Sequence, residues 1–195
     1  MVIYNNRGDF SLKDKTILNF ENLVFRGNLL DIGFDKLGII YSIYKENNDK
    51  YQVEYVNEIK EVENQNKEYY DNCTVFFSFS KIKGNKEKKY LINKISDNLK
   101  TAGNLFIWDI NKRKGHLFFK FITVLLPKGK IARFRATSLE LLNDCSTETI
   151  SKLLEEKFDI QNIVLSDELY YITAKKKGII NGESTFSGNK FKVYT

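Results

Sequence analysis

Apolar and polar positions along this chain follow two periods in turn. Leu29-Leu30-Asp31-Ile32 is a short apolar run of the kind that suits a parallel strand buried on both faces. After Gly38, Ile39, Ile40, Ile43 and Tyr44 recur at helical spacing, and the pattern stops at Glu46-Asn47-Asn48-Asp49, which predicts a strand, a turn and a helix. Tyr51 to Val56 alternates and predicts a second strand, and the polar stretch 57–72 predicts a loop or one short helix. Cys73 to Phe79, β-branched and aromatic, predicts a third buried strand. Leu91, Ile95 and Leu99, with Ile92 beside them, form one face of a helix that Gly103 would end in the left-handed conformation, and Leu105 to Trp108 supplies a fourth strand. Upstream, Ile17, Phe20 and Val24 lie at roughly helical spacing within 11–25, so an entry helix ended by Gly27 is expected.

The pattern then changes. Leu117–Leu126 and Ile131–Ala136 flank Pro127-Lys128-Gly129-Lys130 as two strands flank a hairpin turn. In the second arm Ala132, Phe134 and Ala136 alternate with Arg133 and Arg135, giving one packing face and one solvent face. Ser146 is a good N-cap for a helix carrying Ile150, Leu153, Leu154 and Phe158. Ile160–Leu165 and Leu169–Ala174 form a strand pair joined near Asp167, residues 178–190 read as a loop, and Phe191–Tyr194 as a short edge strand. The expected fold is α/β: a Rossmann-like three-layer sandwich with a mostly parallel sheet, a C-terminal antiparallel strand and an inserted β-hairpin. It is read as one domain over 1–195, with an N-terminal helical segment at 1–26, the hairpin insertion at 111–137 and a C-terminal extension at 178–195.

Length supports that reading, since 195 residues suffice for one substantial core. No apolar run reaches a bilayer span and no basic-then-apolar leader opens the chain, so a cytoplasmic location without membrane contact is expected. Cys73 and Cys145 stand far apart outside any CxxC pair and His116 is the single histidine, which leaves too few ordinary ligands for zinc and argues against Ser-His or Cys-His catalysis. Both cysteines read as small core residues. The net charge of +6 is unevenly placed. Residues 46–71 carry eight acids against three lysines, whereas 111–137 carries eight bases (Lys112, Arg113, Lys114, Lys120, Lys128, Lys130, Arg133, Arg135) and no acid. That basic arm suits an anionic substrate, a nucleic acid or, through its apolar face, a homodimer contact.

In an open parallel sheet, ligands bind beyond the carboxyl ends of the strands, which here places the turn Asp31-Ile32-Gly33-Phe34-Asp35 at the candidate site. Gly33 allows close backbone approach and Gly38 close helix packing, while Asp31 and Asp35 disfavour a diphosphate and suit a ligand with positive charge or hydroxyls. At these residues the sequence resembles the class I S-adenosylmethionine-dependent methyltransferases. LLDIGFDKLG is similar to their first motif, acid-x-Gly-x-Gly-x-Gly. YYDNCTVFFSFSKI is similar to their fourth, with Asp71 opening the central strand. LINKISDNLKTAGNLFIWDI resembles their helix, glycine turn and strand, and TETISKLLEEKFDIQNIVLSDELYYITAKKK their terminal helix and antiparallel strand pair.

The resemblance spans about 28–177 and implies S-adenosylmethionine as cofactor and an unidentified small-molecule or macromolecular methyl acceptor as partner. It implies cofactor contacts at Asp31, Gly33, Asp35 and Gly38 in the turn, and at Asn57 or Glu58 for the ribose hydroxyls. It further implies contacts at Ser78 and Phe79 after the fourth-motif strand, with substrate contacts at Trp108, Asp109, Arg133 and Arg135. The sequence departs from the pattern where Asp35 and Leu37 replace glycines, with Gly38 displaced by one position. Between Asn57 and Cys73 there is also too little chain for a helix and a further strand, so one strand and its helix are expected to be missing. A catalytically inactive binding or assembly protein of the same fold is the alternative expectation, and a nucleic-acid-binding module built on the hairpin is another.

Overall fold

The computed structural model describes residues 3–4, 15–34, 36–47, 50–166 and 168–178. The main sheet has six strands: β3 (Leu29–Ile32), β4 (Val53–Val56), β5 (Tyr70–Phe76), β6 (Leu99–Ile110), β9 (Phe158–Ser166) and β10 (Leu169–Lys176). They lie in the order β4-β3-β5-β6-β10-β9. The pairs β4–β3, β3–β5 and β5–β6 are parallel, and β10 runs antiparallel to both neighbours. β3 is buried at all four positions, as its unbroken apolar run requires between two covered faces. β4 is an edge strand, and only the short α2 (Ile59–Glu63) separates it from β5, in keeping with the expected missing strand.

One face is covered by helices. Val62 of α2, Leu91, Ile92 and Ile95 of α3 (Asn85–Asn98), and Ile150 and Leu154 of α4 (Thr147–Leu154) pack there on Leu30, Ile32, Cys73, Val75 and Ile107. The Ser146 hydroxyl accepts from the Thr149 amide and starts α4 as the N-cap expected of it. Among the described residues the opposite face carries one helix, α1 (Ile39–Asn47), and a second sheet. That sheet is β1 (Ile3–Tyr4), β2 (Lys15–Asn19), β7 (Phe118–Leu125) and β8 (Ile131–Ser138), in the order β1-β2-β7-β8. Leu18, Ile122, Val124 and Ala136 from it meet Phe76, Trp108 and Ile110 of the main sheet. The hairpin is therefore a layer of the sandwich, held down by its own apolar alternation.

Several expectations are corrected. The entry helix is absent where the chain is described: Lys15–Asn19 is a strand, with Thr16, Leu18 and Phe20 buried on one side and Val24, its supposed helical partner, 69% exposed. A β-branched pair, Thr16-Ile17, alternating at period two and aligned parallel to β7, outweighs the coincidence of helical spacing. Gly103 ends no helix. α3 passes directly into β6 at Leu99, and the left-handed residue is Ala102, with φ 60°. Gly103 is needed for close approach, because a Cβ there would lie 2.9 Å from the Lys100 carbonyl oxygen and 3.3 Å from that of Asp71. β5 ends at Phe76 rather than Phe79, and Phe158 opens β9 rather than closing α4. The loop expected at 178–190 and the strand at Phe191–Tyr194 lie outside the described residues, apart from Gly178. Among the described residues no helix is long and apolar enough to cross a membrane. Cys73 and Cys145 are free and buried.

Candidate functional site

The turn after β3 is held by hydrogen bonds from three neighbouring elements. Asp31 is 2% exposed, and its carboxylate accepts from the Tyr41 amide in the first turn of α1 (2.9 Å) and from the Thr74 hydroxyl of β5 (2.6 Å). A carboxylate beside a helix N-terminus is favoured by the helix dipole as well as by the bond. The Gly33 amide donates to the Val56 carbonyl (3.0 Å), and the Gly33 carbonyl accepts from the Lys36 amide (3.1 Å) and the Tyr55 hydroxyl (2.6 Å). The Phe34 amide donates to the Ser78 Oγ (3.1 Å), and that hydroxyl lies 3.2 Å from the Ile32 carbonyl and 3.1 Å from the Phe76 carbonyl. Ser78 thus ties the carboxyl ends of β3 and β5 together. Lys36 and Gly38 have φ of 62° and 55°, so the turn reverses through the left-handed region twice before α1 begins. Asp35, expected to contact the cofactor, lies outside the described residues.

Asn57 and Glu58 follow β4, next to this turn. Glu58 is exposed and Asn57 half-buried, and their amides donate to the Glu61 carboxylate at 3.2 and 2.7 Å respectively, which starts α2. Phe79 and Trp108 are placed differently from the expectation that a ligand touches them. Phe79 is fully buried in the helix-side core, because the chain turns at Phe77 (φ 48°) and sends its ring under the sheet. Trp108 is 1% exposed and packs on Tyr171 (ring centroids 4.7 Å apart) and Phe20 (5.3 Å) between the two sheets. Asp109 is fully buried, with one carboxylate oxygen accepting from the Ser80 amide (3.1 Å) and the other from the Ile110 amide (2.8 Å). Burial pushes its carboxyl above the usual range, and those hydrogen bonds oppose the shift. Asp109 is buried and anchors a turn through these bonds.

What that turn borders is a cavity of about 520 Å³ at the carboxyl edge of the main sheet. Phe34 and Leu37 from the first turn, Phe77 and Lys81 from the end of β5, and Phe134 and Arg135 from β8 line it. Lys81 Nζ donates to the Thr137 carbonyl (3.0 Å), so a cation bridges the main sheet to the outer edge of the hairpin. Among the described residues expected at the site, Arg135 alone lines this cavity; Asp31, Gly33, Gly38 and Ser78 build the turn beside it, and Arg133 lies farther along the hairpin.

Behind the cavity stands a buried polar cluster that sequence reasoning missed. Lys88 is fully buried, and its Nζ donates to the Asn143 side chain and the Asp144 carbonyl, both at 2.6 Å. Asn143 in turn donates to the Ser80 carbonyl (2.9 Å), and Lys112 Nζ donates to the carbonyls of Glu140 (2.9 Å) and Asn143 (2.7 Å). Burial lowers the Lys88 pKa. The signal was present, since Lys88 stands in line with Leu91, Ile92 and Ile95 on the apolar stripe of α3. The basic arm is also less bare than its sequence. Arg113 pairs with Glu148 (2.7 Å), Lys120 with Glu168 (3.5 Å), and Lys128 and Lys130 with Glu46 (3.8 and 2.5 Å). Among the described residues Arg133 and Arg135 have no carboxylate partner.

No protein-family profile matches this chain and no curated protein matches its sequence. Solved structures do match its fold. A 1,6-didemethyltoxoflavin-N1-methyltransferase from Burkholderia thailandensis, crystallised with 1,6-didemethyltoxoflavin and S-adenosylhomocysteine, superposes with a TM-score of 0.54 at 12% identity over 77% of this chain and 71% of that one. An S-adenosylmethionine-dependent methyltransferase from Methanosarcina mazei gives 0.52 at 15% identity over 80% and 95%. At such identities the likeness is one of fold alone.

Proposed function

We propose that this chain, which has the fold of the class I S-adenosylmethionine-dependent methyltransferases, binds S-adenosylmethionine beside the Gly33 turn and methylates an acceptor held in the cavity under β8. The observation that carries this reading is the cavity. Its 520 Å³ falls within the roughly 300–1,000 Å³ of small-molecule sites, and it opens at the carboxyl edge of a parallel sheet, where such folds take ligands. The residues present fit the cofactor. Gly33 and Gly38 carry no side chain of their own, Asn57 and Glu58 follow β4 beside the turn, and Phe34 and Leu37 line the cavity.

When bound, the cofactor supplies a methyl group already activated on a sulfonium, so the protein's work is positioning and exclusion of water. Phe34, Phe77 and Phe134 give the cavity an apolar wall, and Lys81 and Arg135 favour an acceptor that carries negative charge. The acceptor under this reading is small enough to sit between the turn and β8. Asp35 joins the cofactor contacts by its place in the motif, and Ser78, Asp31 and Asp109 act by holding the turns in place.

A second reading, a binding protein of the same fold without catalysis, is favoured by one observation. The amides of Gly33 and Phe34 and the Asp31 carboxylate all have partners within the protein, and the Tyr55 hydroxyl holds the Gly33 carbonyl from the edge strand. A thermal-shift series separates the two. Under the first reading S-adenosylhomocysteine at a hundredfold excess over Kd adds about 2.7 kcal/mol of stability; under the second the unfolding midpoint does not move at any concentration.

A further inference from the structure

We infer that the solvent face of the β7–β8 hairpin is a binding platform for single-stranded nucleic acid, a role beyond the methyl transfer proposed above, with Arg135 at the rim of the cavity shared between the two. The inner positions of the hairpin (Phe118, Ile122, Val124, Ala136) are buried against the main sheet. The outer positions are open. Phe119 and Phe121 of β7 are 52% and 45% exposed, with ring centroids 5.3 Å apart in an edge-to-face pair. The antiparallel register sets Phe121 opposite Arg135 and Thr123 opposite Arg133, so both guanidinium groups stand on the strand beside the two rings. Both arginines are exposed.

Exposed phenylalanines on a sheet are costly in water unless something covers them, and the chemistry around these two selects the cover. The outward positions of β7 and β8 (119, 121, 123 and 125 with 131, 133, 135 and 137) include no acid. Among the described residues neither arginine has an ion pair, whereas the cations at the hairpin tip, Lys128 and Lys130, are paired with Glu46. Flat rings at alternate positions with unpaired guanidinium groups across from them match a polyanion that carries planar groups. Bases stack on the rings and phosphates meet the arginines. A duplex keeps its bases inside and offers the rings nothing, so the platform favours a single strand. A second copy of this chain docking through the same face would bring the same uncompensated positive charge to the contact.

The test is fluorescence anisotropy with a 5′-labelled 12-residue oligouridylate and its thymidylate counterpart, against a 12-base-pair duplex and polyglutamate of equal length as competitors. The wild-type protein is expected to bind the single strands, with log K falling linearly as log salt rises. Phe119→Ala with Phe121→Ala is expected to weaken binding about tenfold or more at an unchanged unfolding midpoint, as loss of stacking requires. Arg133→Gln is expected to reduce the salt slope by about 0.7. Absence of single-strand binding at low salt, equal affinity of the phenylalanine variant, or equal competition by polyglutamate would each overturn the inference. Phe119→Ser with Phe121→Ser serves if the alanine variant is poorly folded. Calorimetry of S-adenosylhomocysteine on the same variants, which lie outside the cavity, reports the methyltransferase reading separately.

Discussion

The Tyr55 hydroxyl of the edge strand β4 donates to the Gly33 carbonyl at 2.6 Å, fastening the first turn of the sheet from the side where the expected further strand is missing. An edge strand has no outer neighbour to brace it, so this bond and the tilted ring contact of Tyr55 with Tyr41 (centroids 6.0 Å apart) take that part. Tyr55→Phe keeps the ring and removes the bond. It is expected to lower stability by about 1 kcal/mol in urea unfolding, and an unchanged midpoint would contradict the bracing role.

Asp31 sits on the other side of the same turn, where two donors converge on its buried carboxylate. Asp31→Asn is nearly isosteric but turns one accepting oxygen into a donor facing a donor. The expected loss is about 2–3 kcal/mol in chemical unfolding, larger than for Tyr55→Phe because the bonds are charge-assisted. A loss below that for Tyr55→Phe would mean that Asp31 is placed for a ligand at the expense of the fold.

At the opposite end of the sheet, Asp71 accepts from the Asn28 amide and from Lys100, both at 2.8 Å. Burial alone would raise its pKa; the Lys100 and Asn28 bonds outweigh that and hold the carboxyl below its usual range. The folded-state pKa is therefore depressed, and the stability it contributes is present above the unfolded value of about 3.9 and is lost as pH falls through the folded value. Asp71→Asn is expected to be less stable than wild type at pH 7, with the gap closing below about pH 4. A gap independent of pH would contradict the ionic origin.

Gly27 lies against the same carboxylate. A Cβ built there would fall 2.5 Å from Asp71 Oδ2, at a φ of +90°. Gly27→Ala is expected to cost about 2 kcal/mol or more in unfolding free energy, and pairing it with Asp71→Gly, which removes the Cβ as well as the carboxylate, relieves only the contact and not the backbone strain. Additivity of the two single effects would contradict the clash.

Lys88 holds the 139–146 segment through Asn143 and Asp144. Lys88→Met removes the buried cation but strands the Asn143 side-chain oxygen, so a loss of about 2–3 kcal/mol is expected, with faster proteolysis between Leu139 and Ser146. Proteolysis unchanged at that segment would show that Lys88 does not hold it in place.

The parts of this fold legible in the sequence are those whose pattern is local. β3, α1 and the hairpin each announce themselves by period, and the alternation in Ile131–Ala136 separates the inward Ala132, Phe134 and Ala136 from Arg133 and Arg135 correctly. β2 reads as a helix because Ile17, Phe20 and Val24 satisfy a helical spacing, although a turn follows Phe20. The cavity is not local at all. It needs Phe34, Phe77 and Phe134, far apart in the chain, and they meet only because the hairpin docks on the sheet. The basic stretch changed character for the same reason, since Glu46 reaches Lys130 across 84 positions. Trp108 and Asp109 were placed at the correct strand end, but whether a side chain there faces a cavity or the core depends on the second sheet, which no single segment reveals.

The central claim, that the turn at Gly33 and the cavity beside it take an adenosyl ligand, is met most directly by isothermal titration calorimetry of the wild-type protein with S-adenosylhomocysteine. The account expects saturable one-to-one binding that weakens when Phe34→Ala alters the wall of the cavity. Absence of heat at every ligand concentration, from protein whose unfolding is cooperative, would contradict it.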